Sequence, residues 1–344
     1  MTIFDLILSN EIVAYWNELK QDAEPYPGQE LFPDKKQIGL KIEWIKGAKG
    51  LPVVLKTSAF DTTSVPRPRI GIEKLSAEMP YFKESRYIDE ELRQQLMTFM
   101  AANNTAIVNE ITANIFDDSV ELLKGAAASR ERMRMMALTT GIVTMAGNGQ
   151  TFTYDYGVSH KYTAGTSWSD TATSDPLADI REAKEKIMQE TGTKVTRALC
   201  NYKTWTYLMN NEKIKKAIFV MTNGVGQLTE AQLSTYISSQ IDVNVKYSDK
   251  RYIDEGGTTQ KYIPDDTFVL FPDGALGNTC FGTTPEEADL MNSNVANVAI
   301  TDTGVAVSTI KMADPVQVKT VVSQICLPSF PQADKVAIID TQTD

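Results

Sequence analysis

The sequence is poor in the residues from which active sites are usually built. Its 344 residues include one histidine, His160, and three cysteines, Cys200, Cys280 and Cys326. Three widely spaced cysteines with no CxxC argue against a disulfide framework and fit free thiols in a reducing compartment. With one imidazole and scattered thiols, neither a zinc site nor a Ser-His-Asp or Cys-His centre has its parts. No stretch approaches the ~18 consecutive apolar residues of a membrane span. Residues 1–8 are apolar but lack a basic flank, and Asp5 interrupts them, so they make a poor signal peptide. There is no GxxxxGK[ST], and Asn223-Gly224-Val225-Gly226 lacks the third glycine of a dinucleotide fingerprint. Positive charge is also short. Lys and Arg number 34 against 44 Asp and Glu, a net charge of −10, which opposes duplex-DNA binding by counterion release.

The most regular stretch is residues 113–141. Ile115, Val120, Leu122, Leu123, Ala126, Ala127, Met133, Met136 and Ala137 recur at helical spacing, which predicts one long helix with an apolar face. Gly141 supplies its stop. Arg130 and Arg134, with Glu131 nearby, are expected on a solvated opposite face. A hairpin should follow at once, turning at Gly147-Asn148-Gly149.

Around this helix the chain divides by composition. Residues 1–37 read as an arm: Ile3, Phe4, Ile7, Leu8, Ile12, Val13 and Trp16 suit a short amphipathic helix, after which Pro25, Pro27, Gly28 and Pro33 are expected to prevent regular structure. Such an arm has no core of its own and should dock on the body or on another subunit. Residues 38–88 alternate like two strands of a long ribbon containing Trp44, with a polar tip at 61–69 that holds Arg67 and Arg69 between prolines. A ribbon of two strands needs something to lie on. Residues 159–174 read as a polar linker. Asp175-Pro176 then opens a helix closed by Gly192, Asn201 caps another, and a third covers 229–240. Strands near 195–200, 243–247 and 267–271 complete a mixed α/β unit over about 175–285. Residues 298–340 return to strand patterning and are expected to pair with the hairpin after the long helix. The fold class is therefore α+β, with one unit inserted between two halves of another.

Nothing in this layout gathers catalytic groups. His160 is read as a solvated loop imidazole. The pairs Asp117-Asp118, Asp265-Asp266 and Glu286-Glu287 should point apart, as adjacent acids on one chain do. Lys213, Lys215 and Lys216, and Arg130, Arg132 and Arg134, are read as solvated helix faces. A chain of this length without a catalytic constellation reads as a structural protein, with no enzyme activity, metal or cofactor expected. A catalytic rival, an enzyme with an inserted cap domain, would need a concave pocket with convergent polar groups.

Several stretches, taken in order, resemble one family. Leu31-Phe32-Pro33-Asp34-Lys35-Lys36, Trp44-Ile45-Lys46-Gly47 and Ala77-Glu78-Met79-Pro80-Tyr81-Phe82-Lys83-Glu84 resemble the front of the phage capsid protein E family, which includes the lambda major head protein. Gly165-Thr166-Ser167-Trp168-Ser169 with Asp175-Pro176, Ile263-Pro264-Asp265-Asp266-Thr267, and Gln324-Ile325-Cys326-Leu327-Pro328 continue the match almost to the end. The resemblance implies a Hong Kong 97-type capsid fold. Residues 1–37 would be its N-arm, 38–88 its E-loop, 89–174 and 286–344 the peripheral domain with the long spine helix, and 175–285 the axial domain. It implies a tailed-bacteriophage major capsid protein, made in the host bacterial cytoplasm and located in the virion. The protein would self-assemble as hexamers and pentamers into an icosahedral head around double-stranded DNA, touched only by non-specific proximity. Scaffold, portal and decoration proteins are the expected partners, and no membrane is. Arg67, Arg69, Trp16 and Trp44 are the expected subunit-interface residues. The alternative on the same fold is an encapsulin-like nanocompartment shell.

Overall fold

The computed structural model describes residues 8–22, 24–46, 73–88, 90–102, 105–147, 149–222, 228–291 and 296–343. The chain forms two compact units, one of residues 1–42, 77–133 and 278–329, the other of residues 43–76, 134–277 and 330–344.

The first unit begins with α1 (Ser9–Asp22), whose Ile12 and Trp16, one helical turn apart, are buried. α2 (Pro27–Leu31) follows as a single turn. The proline-rich stretch is thus not wholly irregular: Pro27 takes the first helical position, where a missing N–H costs nothing. β1 (Asp34–Lys36) and β4 (Tyr81–Ile88) also belong to this unit, whereas β2 (Lys41–Lys46) and β3 (Glu73–Glu78), paired with each other, lie mostly in the second unit. The ribbon tip with Arg67 and Arg69 lies outside the described residues. α3 (Glu90–Ala101) leads to the long helix α4 (Thr105–Thr139). At 35 residues α4 is about 52 Å long at ~1.5 Å per residue, and it starts eight residues before the stretch 113–141. Gly141, at φ +74, ends it as expected.

The main sheet of this unit comes mostly from the far end of the chain: β13 (Asn278–Phe281), β14 (Ala296–Thr301), β15 (Val305–Ala313) and β16 (Val316–Ser329). Its order is β1-β13-β16-β15-β14, with β4 also on β16. β4 runs antiparallel to β16 from Val318↔Ile88 to Ile325↔Tyr81, and β1 pairs in parallel with β13. This corrects the expectation that residues 298–340 would pair with the hairpin after the long helix. That hairpin, β5 (Ile142–Gly147) with β6 (Gln150–Asp155), is a sheet of two strands.

The second unit holds a five-stranded sheet. The strands not yet placed are β7 (His160–Thr163), β8 (Arg197–Cys200), β9 (Asn244–Tyr247), β12 (Thr267–Phe271) and β17 (Ala337–Asp340), with the small hairpin of β10 (Arg251–Ile253) and β11 (Thr259–Lys261) beside them in sequence. The sheet order is β7-β17-β12-β8-β9, in which β7–β17 and β8–β9 are parallel and the two central pairs antiparallel. β12 sits in the middle, which explains its unbroken apolar Phe268-Val269-Leu270-Phe271. α5 (Pro176–Thr191), α6 (Tyr202–Asn210), α7 (Glu212–Thr222) and α8 (Glu230–Ile241) contribute Ile180, Ile187, Trp205, Ile218 and Ile237 to a core shared with Phe268 and Ile339. Their ends behave as read. Asp175 and Asn201 cap α5 and α6, Thr229 makes a full capping box on α8, and Gly192 closes α5 in the left-handed conformation. Residues 159–174 are no linker. They supply β7 and bury Trp168 completely, with Nε1 donating to Asp179 Oδ2 at 2.8 Å.

Candidate functional site

The charged groups that matter most lie on α4, where its periodicity had predicted solvent. Arg130 and Arg134 are 5% and 3% exposed and Glu131 is fully buried, which overturns the solvated-face reading. Most side chains of residues 130–139 are buried, and buried charge survives by pairing. Arg130 Nη2 meets Asp302 Oδ2 at 2.8 Å, and Nη1 donates to Gln324 Oε1 at 2.8 Å. The guanidinium also lies 5.7 Å from the Phe281 ring centroid. Gln324 Nε2 returns to the helix backbone at Ala126 O, 3.0 Å away.

Asp302 owes its position to a tight turn between β14 and β15. Asp302 and Thr303 have φ +46 and +69, which costs non-glycine residues energy. Gly304 completes the turn, and a Cβ there would fall 2.7 Å from Phe281 Cβ. The turn delivers a carboxylate 4% exposed to Arg130 on one side and to Lys20 Nζ, at 2.6 Å, on the other. Burial works to raise the pKa of Asp302, but the Arg130 charge and Lys20 reverse the effect and hold it below the usual carboxylate range.

The same network fixes residues 9–36 to the first unit. Lys20 of α1 reaches Asp302, Tyr15 OH donates to Asp117 Oδ1 at 2.8 Å, and Ser9 N–H donates to Asn297 Oδ1 at 3.0 Å. Gly28 N–H of α2 donates to the buried Glu131 Oε1 at 2.8 Å. Of the two docking places expected for the arm, its described part uses the body.

A second cluster stands at the base of the ribbon. Residues Glu286–Leu290 form a π-helical turn, a rare geometry that re-aims side chains, and Glu286 is 2% exposed. Its Oε1 pairs with Lys83 Nζ at 2.6 Å, its Oε2 accepts from Ser323 Oγ at 2.8 Å, and Tyr81 OH reaches both oxygens at 2.9 and 3.0 Å. Register explains the convergence. Lys83 and Ser323 are direct cross-strand partners, and Tyr81, two residues along β4, shares the face of Lys83. Burial pushes the Glu286 pKa up, yet Lys83 and Ser323 bring it below the ordinary value. Burial and the Glu286 bond raise Tyr81, and the bond to Glu286 raises Lys83. Glu287 turns the other way, to Lys36. Likewise Asp117 and Asp118 go to Tyr15 and Arg86, and Asp265 and Asp266 to Lys261 and Lys203, so each carboxylate pair does point apart.

The other candidates fall elsewhere. Trp16 is 7% exposed on α1, and Trp44 is 9% exposed on β2, its ring 5.6 Å from Tyr156, so both are covered within one chain. Arg67, Arg69 and residues 223–226 lie outside the described residues. His160 is not solvated. It is 3% exposed on β7, with Nδ1 2.9 Å from Tyr162 OH and Nε2 3.7 Å from Glu190 Oε2. Lys213 and Lys216 are exposed and pair with Asp175 and Glu212. The three thiols are buried, and burial raises the pKa of Cys200 and Cys280. Among the described residues no group of three or more His, Cys, Asp or Glu could hold a metal, and no helix is long and apolar enough to cross a membrane. Asp302, Gln324 and Lys20 escaped the sequence reading. The one local hint was Ser323-Gln324, two polar residues inside the apolar run of β16.

The buried charges brace segments distant in sequence against one helix. The chain belongs to the phage major capsid protein E family, whose model matches residues 9–341. It is a phage major capsid protein, a structural protein of the head shell. The putative capsid protein of a prophage from E. coli CFT073 is similar at TM-score 0.58 and 14% identity, covering 97% of this chain and 99% of that one. A phage-related protein from Bordetella bronchiseptica RB50 is similar at TM-score 0.57 and 12% identity, covering 97% of each chain. These likenesses show the fold, which is of the Hong Kong 97 type. No curated protein sequence matches the chain.

Proposed function

We propose that copies of this chain, as hexamers and pentamers, close into the icosahedral head of a tailed phage around double-stranded DNA. The observation that supports this is the family match over residues 9–341. A scaffold, a portal and a decoration protein are the proposed partners. DNA is a non-specific neighbour, since a net charge of −10 opposes binding by counterion release. The role is mechanical rather than catalytic: the subunit is made in the host cytoplasm and ends in the virion. We assign the peripheral role to residues 89–174 and 286–344, with the long helix as its spine, and the axial role to residues 175–285. Residues 38–88 serve as the E-loop, laying Arg67 and Arg69 against acidic groups of a neighbour. Trp16 and Trp44, covered within the chain, serve the interface by holding the arm and the ribbon base in place. Negative-stain electron microscopy of the purified protein tests the reading, with shells or capsomers expected. A sharp monomer at every concentration and salt tried in sedimentation would refute it.

A further inference from the structure

The chain has one imidazole, and it stands between an edge strand and a helix end. β7 is four residues long and lies at the edge of the five-stranded sheet, paired to β17. His160 and Tyr162, two residues apart, share one face of it, and that face meets α5. His160 Nδ1 lies 2.9 Å from Tyr162 OH, and Nε2 lies 3.7 Å from Glu190 Oε2. Glu190 stands in the last turn of α5, which holds no basic residue although a helix C-terminus favours a cation. The imidazole is nearly enclosed while the carboxylate is mostly exposed, so the pair opens to water from the Glu190 side.

The two contacts respond differently to a proton. Burial raises the Tyr162 pKa, so its hydroxyl keeps its hydrogen at neutral pH. In the neutral ring that hydroxyl donates to Nδ1, and Nε2 carries the hydrogen facing Glu190. At 3.7 Å this second contact is too long for a hydrogen bond, so a neutral ring gains little from it. A proton bound at Nδ1 turns the first bond round, with Nδ1–H now donating to the hydroxyl oxygen. It also places a full charge opposite Glu190 and the α5 terminus. The other charges nearby are accounted for. Lys186 of α5 pairs with Glu182 at 2.6 Å and lies 4.7 Å from the Tyr162 ring centroid. Lys161 alternates to the other face of β7. On β17 the residue beside His160 is the uncharged Ala337, and Asp340 pairs with Thr163 at the far end. The short turn Ala333–Lys335, which packs on α5, carries Asp334 and Lys335.

We infer that His160 is a proton-operated latch: with a proton bound it ties the edge strand β7 to the C-terminal end of α5 through Glu190, and without one that tie is lost. The inference concerns a single subunit and stands apart from the capsid reading. Its sign follows from linkage: the tie adds stability at the acidic end of the imidazole titration and loses it as pH rises. His160 is the only histidine, so the untagged full chain carrying isotope-labelled histidine gives one imidazole signal by NMR. That signal should titrate between about pH 5 and 8 in dissociated subunits, and at lower pH in Glu190→Gln than in wild type. Urea unfolding supplies the second readout. Glu190→Gln should raise the unfolding constant about twofold or more near pH 5.5 and leave it nearly unchanged near pH 8. His160→Gln should remove this difference between the two pH values. Glu190 is 64% exposed, so Glu190→Gln keeps the test open if His160→Gln misfolds. A signal that does not move over this range, a titration identical in wild type and Glu190→Gln, or an equal loss of stability at both pH values overturns the latch.

Discussion

Asp302→Asn isolates the charge of the buried pair while leaving its turn in place. Asparagine accepts the left-handed backbone that Asp302 holds at φ +46, and its amide oxygen still offers Arg130 an acceptor. What disappears is the negative charge 2.8 Å from Nη2, with side chains only 6% and 4% exposed. At an effective dielectric of about 20, the gross attraction at that distance is about 6 kcal/mol. Part is offset by the smaller desolvation cost of a neutral amide and by the Gln324 bond that Arg130 keeps. Removing one partner of a buried pair usually costs about 3–5 kcal/mol, and with the acceptor retained we expect about 3 kcal/mol. Urea unfolding of dissociated full-length subunits at pH 7, followed by circular dichroism, measures it. Lys20→Ala removes the other cation, but Lys20 is 41% exposed, so that loss should stay below about 1 kcal/mol. Arg130→Met completes a double-mutant cycle. The double variant should cost at least about 2 kcal/mol less than the sum of the singles, because no buried charge is then left unpaired. A loss under about 1 kcal/mol for Asp302→Asn, or strict additivity in the cycle, would refute the claim that this pair braces the unit.

Three further predictions use the same assays. Asp302 and Glu286 have folded pKa values below their unfolded ones, so the stability they add is full above about pH 4.5 and is lost as pH falls through the folded values. Stability measured from pH 6 to pH 3 should therefore fall less steeply in Asp302→Asn/Glu286→Gln than in wild type, and parallel curves would count against both assignments. Gly304→Ala should cost about 1–3 kcal/mol, since its Cβ would meet Phe281 Cβ at 2.7 Å; unchanged urea stability would mean the turn relaxes freely. Arg67→Glu/Arg69→Glu should fold with a normal spectrum and melting curve yet assemble poorly, because a small exposed contact of about 0.2–1 kcal/mol repeats at every subunit. Normal shell yield and shell stability would remove the ribbon tip from assembly.

The family itself was legible from ordered short motifs, and the local elements from local chemistry. Asp175-Pro176 with Gly192, Asn201 as a cap, Gly141 as the stop of α4 and the apolar run of β12 act within one or two turns of their own position, so the residues that decide them are adjacent in sequence. Other features depended on partners brought from far along the chain. Arg130 looked solvated because helical periodicity cannot register Asp302 and Gln324, 172 and 194 residues away, which make its burial affordable. His160 looked like a loop residue until β17 paired with β7 and enclosed it. Residues 298–329 read correctly as strands but with the wrong partner, since alternation fixes which side chains share a face and says nothing about which strand lies alongside. The sequence by itself determined the fold family, the helix ends and the central strand of the five-stranded sheet. Only the tertiary structure decided which charges are buried, which strands pair and where residues 9–36 dock, because each of these depends on energies between residues that only folding makes neighbours.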